Sequence, residues 1–136
     1  MTTPGYSGKS LSQKLGLKPG HRLALVHAPP DFAAALDPLP PDVEVRSARA
    51  GTAADVTLLF ATRASDLERQ FAVAARSLPP GAMLWVAWPK KAAKQPTDVT
   101  EDVVRRIGLA TGLVDVKVCA VTEIWSGLKW VHRVAR

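Results

Sequence analysis

Two kinds of apolar spacing take turns along this chain. Continuous or alternating apolar runs occupy 22–27, 43–46, 55–60 and 83–88, and short runs of this kind between glycine and proline predict strands. Between them apolar residues recur at helical spacing. Phe32 and Leu36 do so within 31–36, Leu67, Phe71, Ala74 and Leu78 within 66–78, and Val103, Val104, Ile107 and Ala110 ahead of Gly112. Each set lies on one side of a helix and turns that side inward. Ser10 and Gln13 stand at capping-box spacing before a short helix over 11–15, Ser65 and Glu68 before the helix over 66–78, and Asp98 and Glu101 frame the start of the last helix. The run Met83-Leu84-Trp85-Val86-Ala87-Trp88 is apolar on both sides, as a strand of a parallel sheet covered on both faces must be. Past Gly112, residues 113–134 read as two strands joined by a loop over 122–127.

Strands alternating with helices argue for a single-domain, open, mostly parallel α/β sheet with right-handed crossovers and a C-terminal antiparallel hairpin. The expected organisation is a basic N-terminal arm and short helix over 1–14, followed by a Rossmann-like domain over 15–136. A chain of 136 residues suits one domain with one core. Cys119 is the only cysteine, in the alternating run 114–121, so it is expected as a structural strand residue in a reducing, cytoplasmic setting. No apolar run approaches the ~18 residues of a membrane span, and no signal-peptide core opens the chain.

Charge sharpens this picture only once it is located. Of the net +6, much sits in two stretches without Asp or Glu: 1–30, with Lys9, Lys14, Lys18 and Arg22, and 69–97, with Arg69, Arg76, Lys90, Lys91 and Lys94. Such a field attracts anionic ligands, nucleic acid or acidic proteins, and it also keeps an ordinary chain soluble.

The stretch from Leu15 to His27, with Leu15-Gly16-Leu17-Lys18-Pro19-Gly20 leading into an apolar strand, resembles the entry to the first strand of S-adenosylmethionine-dependent methyltransferases. Leu78-Pro79-Pro80-Gly81 ahead of the strand at 83–88 and the final antiparallel strand extend that likeness over most of 15–134. The resemblance implies a degenerate Rossmann fold, with one crossover and strand missing between Arg46 and Asp55. It does not carry the cofactor site with it. The turn after the first strand, His27-Ala28-Pro29-Pro30-Asp31-Phe32, has no glycine where the family needs backbone without Cβ, and two prolines remove two N–H donors. The acid that would hold the ribose is also displaced, since Glu44 lies inside the second strand and Arg46 at its exit.

More specifically, the chain resembles a bacterial family of small uncharacterised Rossmann-like proteins, a domain of unknown function. The residues that carry this are Gly5-Tyr6-Ser7-Gly8 with Leu15-Gly16-Leu17-Lys18-Pro19-Gly20, Trp85-Val86-Ala87-Trp88-Pro89-Lys90-Lys91, Thr97-Asp98-Val99-Thr100-Glu101-Asp102-Val103-Val104, Gly112-Leu113-Val114-Asp115-Val116-Lys117-Val118-Cys119-Ala120-Val121 and Trp125-Ser126-Gly127-Leu128-Lys129. This likeness implies a fold and no activity.

The remaining chemistry is sparse. Gly8-Lys9-Ser10 echoes a phosphate loop, but Thr3 stands where its first glycine belongs. His21, His27 and His132 have no metal-ligand spacing, no serine sits in a Gly-x-Ser-x-Gly setting, and Asp98, Glu101 and Asp102 suit helix capping. No catalytic residue, cofactor or metal site is expected. Topology offers the better lead, because open α/β sheets bind ligands beyond the carboxyl ends of their strands. The residues expected there are His27, Asp31, Phe32, Arg63, Trp88, Lys90 and Lys91; Arg63, Lys90 and Lys91 are expected to converge on one cleft and bind an anion, with Trp88 and His27 at its wall, and the plainer reading of the same residues is a core-edge tryptophan beside solvated lysines. Trp125, in the hairpin loop, would cap a pocket, anchor a partner or fold back on its own core. Trp130, alternating with Leu128 and His132, would be buried or in a subunit contact. The expectation is a non-catalytic Rossmann-like module that binds a small anionic ligand or a protein partner, a second copy included. A divergent methyltransferase is the alternative, and a nucleic-acid binder is disfavoured for want of a basic and aromatic stripe.

Overall fold

The computed structural model describes residues 9–133. Residues 1–8 of the expected arm and Val134 at the expected end of the last strand lie outside them. The chain runs α1 (Leu11–Leu15), β1 (Arg22–Val26), a 3₁₀ turn (Phe32–Leu36), β2 (Glu44–Ser47), β3 (Val56–Phe60), α2 (Ala64–Ser77), β4 (Met83–Pro89), a second 3₁₀ turn (Lys91–Ala93), α3 (Glu101–Leu109), β5 (Val114–Ala120) and β6 (Trp125–Val131). One six-stranded sheet has the order β2-β1-β3-β4-β6-β5. β6 alone runs antiparallel to its neighbours, slotted between β4 and β5, so β5 forms the edge. This is the expected single-domain α/β fold with a mostly parallel sheet and an antiparallel C-terminal hairpin.

The β2–β3 connection explains the other edge. It covers only residues 48–55, too few for a crossover helix and a further strand, and it is held against β1 by Ala48 N–H to Leu25 O (2.8 Å) and Asp55 N–H to Arg22 O (3.1 Å). β2 is therefore the outermost strand, and strand order reverses between β1 and β3.

Side-chain alternation divides the core into two layers. Leu84, Val86 and Trp88 of β4 and Leu128 and Trp130 of β6 pack under α2 and α3 with Leu67, Phe71, Ala74 and Leu78, the stripe expected of α2. Trp85 and Ala87 face the other way, among Leu15, Leu23, Leu25, Leu58, Phe60, Phe32, Leu36 and Trp125. Short elements suffice there because they are pinned: Ser12 Oγ donates to Leu36 O at 2.5 Å, joining α1 to the first 3₁₀ turn, and Trp85 Nε1 donates to Leu15 O at 3.1 Å. α1 has the expected Ser10–Gln13 capping box.

Several expected details are corrected. The helix expected over 31–36 is a 3₁₀ turn, consistent with a segment hemmed by Pro29-Pro30 and Pro38. α2 starts at Ala64, with Arg63 as N-cap, and Ser65 and Glu68 form no capping box. A tertiary acceptor takes that role: Asp98 Oδ1 accepts from Ala64 N–H at 2.7 Å. Asp98 is thereby removed from the start of α3, where Thr100 is the N-cap and accepts from Val103 N–H at 3.3 Å. Ala110 is exposed, and Gly108 faces inward in its place. Trp125 is not in the hairpin loop but opens β6, because Val121 and Thr122 N–H both donate to Trp125 O and close the turn over 122–124. Trp130 is fully buried.

Candidate functional site

β1 ends at Val26, and the next residue, His27, holds a positive φ of 58°, a conformation that a Cβ makes costly. That bend carries the imidazole toward α2, where Gln70 Nε2 stands 2.7 Å from His27 Nε2. The amide and the ring are thereby hydrogen-bonded across 43 residues of sequence. The two side chains share the wall of a hollow of about 350 Å³ with Phe60, Thr62, Asp66, Arg69 and Trp125. This hollow lies at the carboxyl ends of β1 and β3, where strand order reverses. Its base is aromatic: Phe60 meets Trp125 edge-on with centroids 5.0 Å apart, and Phe32 meets Phe60 at 4.9 Å. At its rim Arg69 Nη2 pairs with Asp66 Oδ1 at 2.9 Å, which leaves the hollow close to neutral.

A second hollow of about 360 Å³ opens at the end of β4, lined by Trp88, Pro89, Lys90, Lys91, Gln95, Thr97, Val99, Thr100 and Glu101. It is the more cationic of the two. Its one carboxylate, Glu101, is engaged by Arg105 one turn along α3, and Arg105 Nε also donates to Asp115 Oδ2 at 2.9 Å. Arg105 beside it holds the Asp115 carboxyl below its ordinary range, against the opposing effect of burial. Lys90 and Lys91 have no such carboxylate partner among the described residues.

The single cleft expected from topology is thus two hollows. His27 and Trp125 line the first, Trp88, Lys90 and Lys91 line the second, and Arg63 lines neither but caps α2 from an exposed position. A seam of hydrogen bonds runs between them. Thr97 Oγ1, from the second hollow, donates to the carbonyl of Thr62, which lines the first, at 2.7 Å, and the Asp98–Ala64 bond lies beside it. Asp31 is exposed, whereas Phe32 is buried in the core. Trp88 is 6% exposed, a floor under its hollow more than a free stacking face. Gln70, Thr62, Thr97 and the capping of α2 by Asp98 escape sequence reasoning, because each acts on a residue more than thirty positions away. Among the described residues no group of His, Cys, Asp and Glu side chains is placed to hold a metal ion, and no helix is long and apolar enough to cross a membrane.

No protein-family model and no curated protein matches the sequence. Solved structures do match the fold. A possible exported protein from Bordetella parapertussis superposes with a TM-score of 0.63 at 12% identity, covering 91% of this chain and 66% of that one. An O-methyltransferase family 2 protein from Planctomyces limnophilus, solved with apigenin, gives 0.63 at 13%, covering 85% and 50%. A chain from the complex of the Haloferax volcanii Trm112 methyltransferase activator with a putative methyltransferase gives 0.63 at 10%, covering 89% and 86%. The chain therefore spans half to two-thirds of the length of the first two. At these identities the likeness is one of fold: a methyltransferase-like Rossmann architecture.

Proposed function

We propose that this chain is a non-catalytic Rossmann-like module that binds a small anionic ligand at the carboxyl end of its sheet. The observation that carries the reading is the hollow at the end of β4. Lys90 and Lys91 supply charge there, the Thr100 hydroxyl supplies a short-range donor, the N-terminus of α3 adds its dipole, and the only lining carboxylate is held by Arg105. His27 and Trp125, in the neighbouring hollow, would meet the less polar part of a ligand long enough to cross the seam. The same reading keeps the chain in the cytoplasm and within the bacterial Rossmann-like family that its motifs resemble.

A divergent methyltransferase is the second reading, and the fold likeness favours it. Against it stands the turn after β1, where Pro29 and Pro30 take the place of glycines whose N–H groups would approach the cofactor. Titration calorimetry separates the two readings. S-adenosylmethionine is expected to give no saturable heat, and micromolar binding would replace the first reading with the second. Inorganic pyrophosphate is expected to raise the melting temperature, since a ligand that binds only the native state stabilises it by mass action. Lys91→Glu should abolish that rise while leaving the unliganded melt unchanged. A rise that survives Lys91→Glu, or no rise at all, removes the second hollow from consideration.

A further inference from the structure

We propose that the outer edge of β5 takes an extended segment of another protein in which acidic and apolar residues alternate, adding a strand to the sheet. The proposal stands apart from the strand-end hollows. β5 is the terminal strand, and its register with β6 assigns its faces. Val118 lies opposite Leu128, on the α3 side, and is 43% exposed; Val116, at the bulge just before, is 51% exposed. On the α1 side Lys117 lies directly opposite Lys129, and Cys119 opposite Gly127. Lys14 of α1 is near enough to act electrostatically on Cys119.

Like charges facing each other across a strand pair are destabilising. No carboxylate pairs with Lys117 or Lys129 among the described residues. Burial and the neighbouring Lys117 push Lys129 below its ordinary pKa, the mark of an ammonium whose charge is not compensated within the chain. A lysine on an edge strand is ordinary protection against pairing. Two facing ammonium groups on one side of the edge and two exposed valines along it exceed what protection needs. An incoming strand alternates its side chains, so acids on the α1 side would meet the lysines while apolar residues on the other side cover Val118.

Charge also selects the occupant. A second copy pairing antiparallel through β5 about an axis normal to the sheet would keep like faces together and set its own Lys117 and Lys129 on the cationic side. The cationic side therefore favours a foreign acidic strand.

Fluorescence anisotropy with a labelled peptide of alternating Glu and Val tests this. The expected result is saturable binding that weakens about tenfold in Lys117→Glu, as charge reversal at an electrostatic contact does, and is unchanged in Lys91→Glu. Circular dichroism and the thermal melt verify that Lys117→Glu, a change at an exposed edge, leaves the fold intact. Binding should be lost when alternate peptide nitrogens are methylated or the glutamates are gathered into one block. Absence of binding, or equal binding of the methylated peptide, overturns strand addition. Tighter binding of an oligothymidylate of equal charge replaces the peptide with nucleic acid. A dimer in sedimentation velocity that Val118→Lys dissolves replaces it with a second copy.

Discussion

On one face of the sheet, helices of 14 and 9 residues cover Val26, Leu59, Leu84, Val86, Leu128 and Trp130. On the other, a five-residue α1 and a five-residue 3₁₀ turn cover Leu23, Leu25, Leu58, Phe60 and Trp85. The first face is sealed by regular periodicity and close approach. Gly108 brings the α3 backbone onto the Trp130 indole, which also meets Phe71 edge-on at 5.3 Å. The second is sealed by individual bonds and rings: Ser12 to Leu36, Trp85 to Leu15, and the Phe32, Phe60, Trp125 stack. Both layers are buried, and beyond them the strand ends open into hollows: the first is walled by both layers, Leu59 and Leu67 from one and Phe60 and Trp125 from the other, and the second lies over Trp88 and Val99 of the helical layer. The proposed anion site therefore lies beside the helical layer, at the start of α3, whereas the His27 hollow is shared by the two.

The strongest way to break this contrast is to load the close contact of the first face. A Cβ at Gly108 would lie 2.3 Å from the Trp130 ring, so Gly108→Ala is expected to lose about 3 kcal/mol or more in urea unfolding. Trp130→Leu in the same chain should recover part of that loss by vacating the space. A Gly108→Ala variant as stable as the parent would show that the helix does not rely on this approach.

Next in size is a comparison of aromatic deletions. Phe71→Ala, fully buried under α2, should cost about 3–5 kcal/mol. Trp125→Ala should cost less, about 2–3 kcal/mol, because the space it leaves joins a hollow that water already reaches. Equal losses would mean that the second face is as tightly sealed at its end as the first.

The smallest effect tests the seam between the hollows. Asp98→Ala removes the acceptor for Ala64 N–H and should cost about 1 kcal/mol, whereas Ser65→Ala should change stability by less than about 0.5 kcal/mol. The reverse order would restore the local capping box that sequence spacing suggests.

Much of the fold was legible along the chain, since strands and helices that bury one side leave a period of two or 3.6 whatever they pack against. The α2 stripe and the α1 capping box are of that kind. Of the site, the strand-end residues could be named in advance, but their grouping could not. Nothing near His27 in sequence announces Gln70, and nothing near Ala64 announces Asp98. Trp125 changed from loop to strand because its pairing with β4 through Pro89 lies outside the local pattern.

The sequence by itself therefore determined which residues are apolar on one side, where helices and strands alternate, that no room exists for a further strand between Arg46 and Asp55, and that glycines are missing after β1. Tertiary structure alone decided that β6 enters between β4 and β5, that Asp98 caps α2, and that the strand-end residues divide between two hollows. The physical reason is the range of the forces involved. Hydrophobic periodicity is a property of neighbours along the chain, whereas a cap, a seam or a cavity wall exists only where segments distant in sequence supply each other's donors and acceptors.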